Sequence, residues 1–288
     1  MTLHSPTSSL TIVSAYQGLV NYISAAKLKP SSDWEKLWLE YAIEPYWAEW
    51  AQGQFNEART REQLSKPILS LKELAVEVEC LMNSRIEQLV EKAYTQITHV
   101  LPSPLANRAV CIYAADPGNQ WLQEQGVVGT GIGDNILLQI NPLAQNWSLW
   151  VPYVLAHEYH HAVWGYNYFA AQQKSYMDLL TGLLIDGEAD TFAKLLYPDL
   201  HPTWINALTP AEEAEQWEKM QKYLNGNDGP IYERFFFGDK VSGTPSCTAY
   251  TIGYRIVQAY LKRYPTQTVF DLMNKEAWEI LSDSGYEP

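Results

Sequence analysis

The run His157-Glu158-Tyr159-His160-His161 sets two imidazoles four residues apart, and this spacing constrains the fold more than any other feature of the chain. An α-helix projects positions i and i+4 from one face, at a separation that one small cation can bridge. The sequence therefore predicts a helix here, from Ser148 to about Trp164 and ending before Gly165, with Pro152 tolerated in its first turn. Three of the six histidines fall within these five residues. Neutral imidazoles with a carboxylate suit Zn2+ better than harder divalent ions. Glu158 is one position along from His157 and cannot share its coordination direction. It does reach a water held in the open fourth position of such a metal, where a carboxylate serves as general base. His160 points to another side of the helix and reads as a hydrogen-bonding or packing residue.

Catalytic zinc sites usually take three protein ligands, so a third is expected elsewhere. Asp186-Gly187-Glu188-Ala189-Asp190 offers it, on a helix whose start is signalled by Ser175 with Asp178 and whose buried face carries Met177, Leu180 and Leu184. Asp186 and Glu188 cannot both face the metal, because residues two apart on a helix diverge by about 200°. Asp186 has Asp190 one turn later, placed to accept the free N–H of a ligating histidine. Glu188 has the longer reach, with the apolar Phe192 at its i+4 position. The first is preferred and the second stays open. Flanking Leu183, Leu184, Ile185 and Ala189 put the cluster near the core rather than on a solvated face.

Around these blocks the pattern is helical with a strand-rich middle. Ser32-Asp33-Trp34-Glu35 has capping-box spacing, and Trp34, Leu37, Trp38 and Tyr41 follow at helical period until Pro45. Ile86, Leu89, Val90, Ala93 and Ile97 predict a long helix ending before Pro102. Ala109–Tyr113 and Ile136–Ile140 read as strands, and the glycines of 129–133 as a turn or bulge between them. That glycine stretch lacks the G-K-[ST] of a nucleotide loop. Thr209-Pro210-Ala211-Glu212 opens a further helix that closes near Asn225-Gly226, and two more follow, at Tyr250–Leu261 and from Thr268 onward. The expected fold is α+β, mostly helical, with a small sheet next to the H-E-x-x-H helix. A helical N-terminal region, 1–104, packs on a catalytic domain of 105–288, or the two form one continuous domain.

Lys plus Arg number 20 against 33 for Asp plus Glu, and the formal charge of −13 repels phosphate backbones and anionic lipid surfaces. Nucleic acid and membrane are thus excluded as expected partners. Cys80, Cys111 and Cys247 are odd in number and form no C-x-x-C pair, so they read as buried free thiols. Tyr16, Gln17, Asn21 and Tyr22 interrupt the apolar segment from Leu10 to Ala26, and no export signal frames it. A cytoplasmic protein is expected, with its oligomeric state left open.

Three blocks, HEYHH, DGEADTFAKLLYP and YTIGYRIVQAYL, resemble the YjaZ-like bacterial family of predicted Zn-dependent proteases over roughly residues 105 to 265. The resemblance implies a gluzincin-like core, Zn2+ as cofactor, His157 and His161 as ligands, Glu158 as general base, and a peptide or protein as substrate. The family's second block reads E-G-x-A, and its glutamate falls on Asp186, a departure of one methylene. The resemblance also brings in Tyr250 and Tyr254, since such peptidases often set a Tyr, His or Arg near the metal to stabilise an oxyanion. Both tyrosines share a helix face with Val257 and Leu261, so core packing competes with that role. Arg255 lies off that face and reads as a surface ion-pair residue. The strand Ile136–Ile140 is expected to offer a sheet edge on which an extended peptide pairs. Two other readings stand beside peptide hydrolysis: a metal-stabilised binding or regulatory protein with little turnover, and hydrolysis of a small amide.

Overall fold

In a computed structural model of the chain, which describes residues 9–54, 57–102, 107–116, 118, 125–174 and 176–288, the predicted periodicities become a small mixed sheet and many helices. The strands are β1 (Ser9–Val13), β2 (Asn107–Ala114), β3 (Val127–Ile132) and β4 (Asn135–Ile140). The helices of the first part are α1 (Gly18–Ala26), α2 (Trp34–Trp38), α3 (Glu44–Trp50), α4 (Glu57–Leu64), α5 (Leu71–Asn83), α6 (Ile86–Val100) and α7 (Trp147–Gly165). The later ones are α8 (Leu179–Leu196), α9 (Pro210–Met220), α10 (Gly229–Phe237), α11 (Thr248–Arg263), α12 (Val269–Leu272) and α13 (Ala277–Ser284). The chain divides into two compact units, one reaching Val163 and the other starting at Trp164.

In the first unit the strand order is β1-β2-β4-β3, with β1, β2 and β4 parallel and β3 antiparallel to β4. Alternation along β2 sends Arg108, Val110 and Ile112 to one face and Ala109, Cys111 and Tyr113 to the other. Register extends the first face across the sheet: Val110 pairs Ile136, Ile112 pairs Leu138, Leu138 pairs Gly129 and Ile136 pairs Gly131. α7 covers this face, since the Arg108 guanidinium sits 5.0 Å from the centroid of the Tyr159 ring. On the opposite face the Tyr113 hydroxyl donates to the Ala42 carbonyl (2.7 Å), and its ring lies 6.2 Å from that of Trp50.

Several expectations change here. β4 lies between β2 and β3 and is not a sheet edge; β3 is the edge strand, and most of the glycine stretch belongs to it. Only Gly133, at φ 60°, sits in the turn to β4. β1 lies in a region whose pattern reads as helical, and its partner β2 is remote in sequence. The helical run through Trp38 does not stop at Pro45. A π-turn over Leu39–Ile43 widens the backbone, and Pro45 then occupies the first turn of α3, where its missing N–H has no partner to lose. The Ser32 capping box is not made, because α2 starts from Asp33 without a side-chain cap.

The second unit is built on the crossing of α8 with α11. A Cβ on Gly253 would lie 2.7 Å from the Leu183 carbonyl carbon, and one on Gly187 would lie 2.5 Å from the Gly253 carbonyl carbon. Glycine at both positions lets the two backbones touch. Around that contact Leu180, Leu183, Leu184, Ile252, Ile256 and Val257 form an apolar core with Phe235 and Phe236. The Thr209–Glu212 capping box of α9 is made as predicted. Asp178 caps α8 by accepting from the Thr181 N–H at 2.8 Å, whereas Ser175 lies outside the described residues. Among the described residues no helix is long and apolar enough to cross a membrane.

One core residue of the first unit is out of character. Glu77 on α5 is fully buried and neither carboxylate oxygen has a hydrogen-bond partner. Burial, aided by the nearby charges of Asp116 and Glu73, pushes its pKa from 4.5 up to about 8. The folded chain therefore holds this proton across pH values at which the unfolded chain has released it, and stability falls as pH rises through that window. Glu77→Gln removes the titration. In urea melts the wild type is expected to lose a few kcal/mol relative to Glu77→Gln between pH 5 and pH 8; parallel curves for the two proteins would refute a neutral buried carboxyl.

Candidate metal centre

α7 is buried almost all round: Val151, Tyr153, Leu155, Ala156 and Tyr159 have no exposed surface. A helix apolar on most faces belongs inside a protein, and three polar contacts fix this one. The Tyr159 hydroxyl donates to the Leu101 carbonyl at 2.9 Å, its ring meets Tyr94 edge-on at 5.7 Å, and Arg108 stacks beneath it. Arg108 is itself buried, with burial pulling its pKa down, and its guanidinium donates to the Asp134 carbonyl. The helix begins one residue earlier than predicted, so Pro152 falls inside it rather than in its first turn.

His157 and His161 leave α7 on one side, with their Nε2 atoms 2.9 Å apart and ring planes at 81°. Two nitrogens bound tetrahedrally to zinc at 2.0–2.1 Å stand about 3.3 Å apart, so only a small opening of the pair separates it from a ligating geometry. His157 and His161 thus offer two imidazole nitrogens on one side of α7, and in the second unit Asp186 of α8 offers a buried carboxylate. Two imidazoles and a carboxylate are the donor set that zinc takes in hydrolytic sites. The residues present therefore fit the metal.

Glu158 is 7% exposed and lies against the edge strand. A Cβ on Gly129 would come within 2.6 Å of its Oε1 and 2.8 Å of its Cδ, while one on Gly131 would stay 3.5 Å from Oε2 and 3.7 Å from the His161 Cβ. The glycines of β3 thus face the motif. Their signal in the sequence is a G-x-G at strand period, which glycine content alone disguises as a turn.

On α8 the acidic cluster separates by face. Asp190 is fully buried and accepts from the Trp204 indole N–H at 2.8 Å, a partner that no local pattern signals. Glu188 instead lines a small cavity with Thr181, Leu184 and Ile185 of its own helix and with the stacked rings of Trp164 and Tyr168. Burial pushes the Glu188 pKa up to about 8. Tyr254 is half-buried, and burial together with the charge of Asp190 raises its pKa. Tyr250 packs against the apolar core, its ring 5.1 Å from Phe236. Arg255 is exposed and donates to the neutral Asn206 Oδ1 at 2.9 Å, where the sequence predicts an ion pair.

A family model described as "Predicted Zn-dependent protease (DUF2268)" matches residues 86–282 of the chain. No curated protein and no solved structure matches it significantly.

The α8–α11 contact yields a test of how this acidic helix is held. Gly253→Ala forces a methyl into the Leu183 backbone and is expected to cost about 3 kcal/mol in urea unfolding. Gly165→Ala, at a helical position with open space around it, is expected to be neutral or slightly stabilising. Equal effects would contradict backbone contact at Gly253.

Proposed function

The chain belongs to that family of predicted Zn-dependent proteases, and from this premise we propose that it hydrolyses peptide bonds, using zinc held by His157, His161 and Asp186 on a gluzincin-like core. The observation that carries the reading is the pair of imidazole nitrogens 2.9 Å apart on one side of α7, beside a glutamate buried against the edge strand. Bound there, zinc would polarise the scissile carbonyl and acidify a water.

Glu158 does the proton work. Its carboxylate takes a proton from the attacking water as the new C–O bond forms, then delivers it to the amide nitrogen as the C–N bond breaks. Its setting suits this role, since a carboxylate packed against a strand backbone has few directions in which to turn. Tyr254 is proposed as the oxyanion donor. Its raised pKa keeps the phenol protonated, so it presents an O–H to developing negative charge. Tyr250 is assigned to packing on the strength of its Phe236 contact. Asp186 is preferred to Glu188 as third ligand because Glu188 lines its own cavity on another face of α8. A second reading, a metal-stabilised binding protein with little turnover, is favoured by one observation: aspartate stands at the third-ligand position, and its shorter arm weakens control of the metal.

Two measurements test these assignments. Glu158→Gln is expected to keep full zinc content while kcat on a peptide library falls about a thousandfold; near-normal turnover would remove Glu158 from the mechanism. In metal analysis Asp186→Ala is expected to lose the zinc and Glu188→Ala to retain it. The reverse pattern would transfer the ligand to Glu188, and zinc-loaded wild type without turnover would favour the binding protein.

A further inference from the structure

Gly129 and Gly131 lie two residues apart on the edge strand, so both face α7, yet they meet it differently. A methyl at 131 would make ordinary contact, 3.5 Å from Glu158 Oε2. A methyl at 129 would stand where the Glu158 side chain already is, 2.6 Å from Oε1 and 2.8 Å from Cδ. We propose that Gly129 is a positioning residue for Glu158: its bare Cα forms a slot in the β3 backbone that sets where the carboxylate stops. The proposal rests on reading Glu158 as the general base.

The slot has rigid walls. β3 is paired with β4 through its whole length, from Val127 opposite Ile140 to Ile132 opposite Asn135. Behind it, β4 is paired to β2, so the strand is the margin of a sheet and not a free loop. α7 is fixed to the same sheet through Tyr159 and Arg108. With strand and helix both held, the part able to yield to a side chain at 129 is the Glu158 side chain itself. In the wild type the same geometry works in reverse. The strand backbone limits how far the carboxylate can swing, so the base is set before substrate arrives. Pre-set geometry of this kind matters because a misplacement of about 1 Å in a catalytic group costs about a hundredfold in rate.

The test compares Gly129→Ala with Gly131→Ala in the full chain. Both add one methyl to the same face of the same strand, so they share any effect on strand propensity and differ in what they meet. Crystal structures of the zinc-loaded variants are expected to show the Glu158 carboxylate displaced by about 1 Å in Gly129→Ala and in place in Gly131→Ala. On a fluorogenic peptide library, Gly129→Ala is expected to lose about a hundredfold in kcat with KM and zinc content unchanged. Gly131→Ala should stay within about twofold of wild type. An unmoved carboxylate in Gly129→Ala or equal losses at the two glycines would each overturn the slot. The crystallographic arm needs no turnover, so a chain that hydrolyses nothing would defeat the peptidase reading while the slot is still decided.

Discussion

The helix that carries His157, Glu158 and His161 is held from its other sides, and Tyr159 is the residue through which much of that hold passes. Its hydroxyl reaches the Leu101 carbonyl, its ring meets Tyr94, and Arg108 lies beneath it as a buried cation. A buried guanidinium is costly unless its donors are satisfied. Here it is spent on an aromatic face and on the Asp134 carbonyl, at the turn that leads into β4. One residue in the middle of the motif therefore ties the helix to the sheet. The identity of the x residues in H-E-x-x-H is a matter of anchorage: Tyr159 points into the sheet, and the fully buried His160 packs beneath the surface.

Much of this was legible in the sequence, wherever a local rule decides the outcome. α6, α7, α9 and α11 follow from apolar period and from start signals such as the Thr209–Glu212 box, because those forces act within one or two turns of chain. The pairing of His157 with His161 on one side of a helix was legible for the same reason, i and i+4 being a local relation. What escaped depends on distant partners. β1 forms against β2, far along the chain, and its short pattern carries little weight alone. β3 reads as a turn because glycine is a turn former, whereas its Gly129 stands against Glu158, where a Cβ would meet the carboxylate. Pro45 reads as a helix end, and a π-turn upstream changes what it does. In each case tertiary contact overrides a propensity that is correct on average.

The contact of α8 with α11 shows the same logic in the second unit. Gly187 sits between Asp186 and Glu188, and Gly253 sits next to Tyr254. The two glycines that let the helices touch are thus embedded among the residues with chemical potential. Helices usually pack at axis separations of 8–10 Å, set by the side chains between them. Removing those side chains trades flexible packing for backbone contact, which fixes the rotation of each helix as well as its distance. An aspartate has one methylene fewer than a glutamate and less reach with which to correct a misplaced helix. Backbone contact beside it is a fitting support for the shorter acid.

α8 also buries three carboxylates within five residues: Asp186, Glu188 and Asp190 are 7%, 2% and 0% exposed. Three unneutralised charges so close together would destabilise any core, and two of them are relieved by different chemistry. Asp190 takes a hydrogen bond from Trp204. Glu188, with its pKa raised to about 8, keeps its proton at neutral pH. A ligand must be ionised, and on the proposed reading Asp186 shares a divalent cation with two neutral imidazoles. The metal then contributes to folding as well as to chemistry, because whatever binds the native state alone shifts the folding equilibrium toward it. On that reading the acidic helix lies in the core while one of its three carboxylates stays ionised to serve the ion.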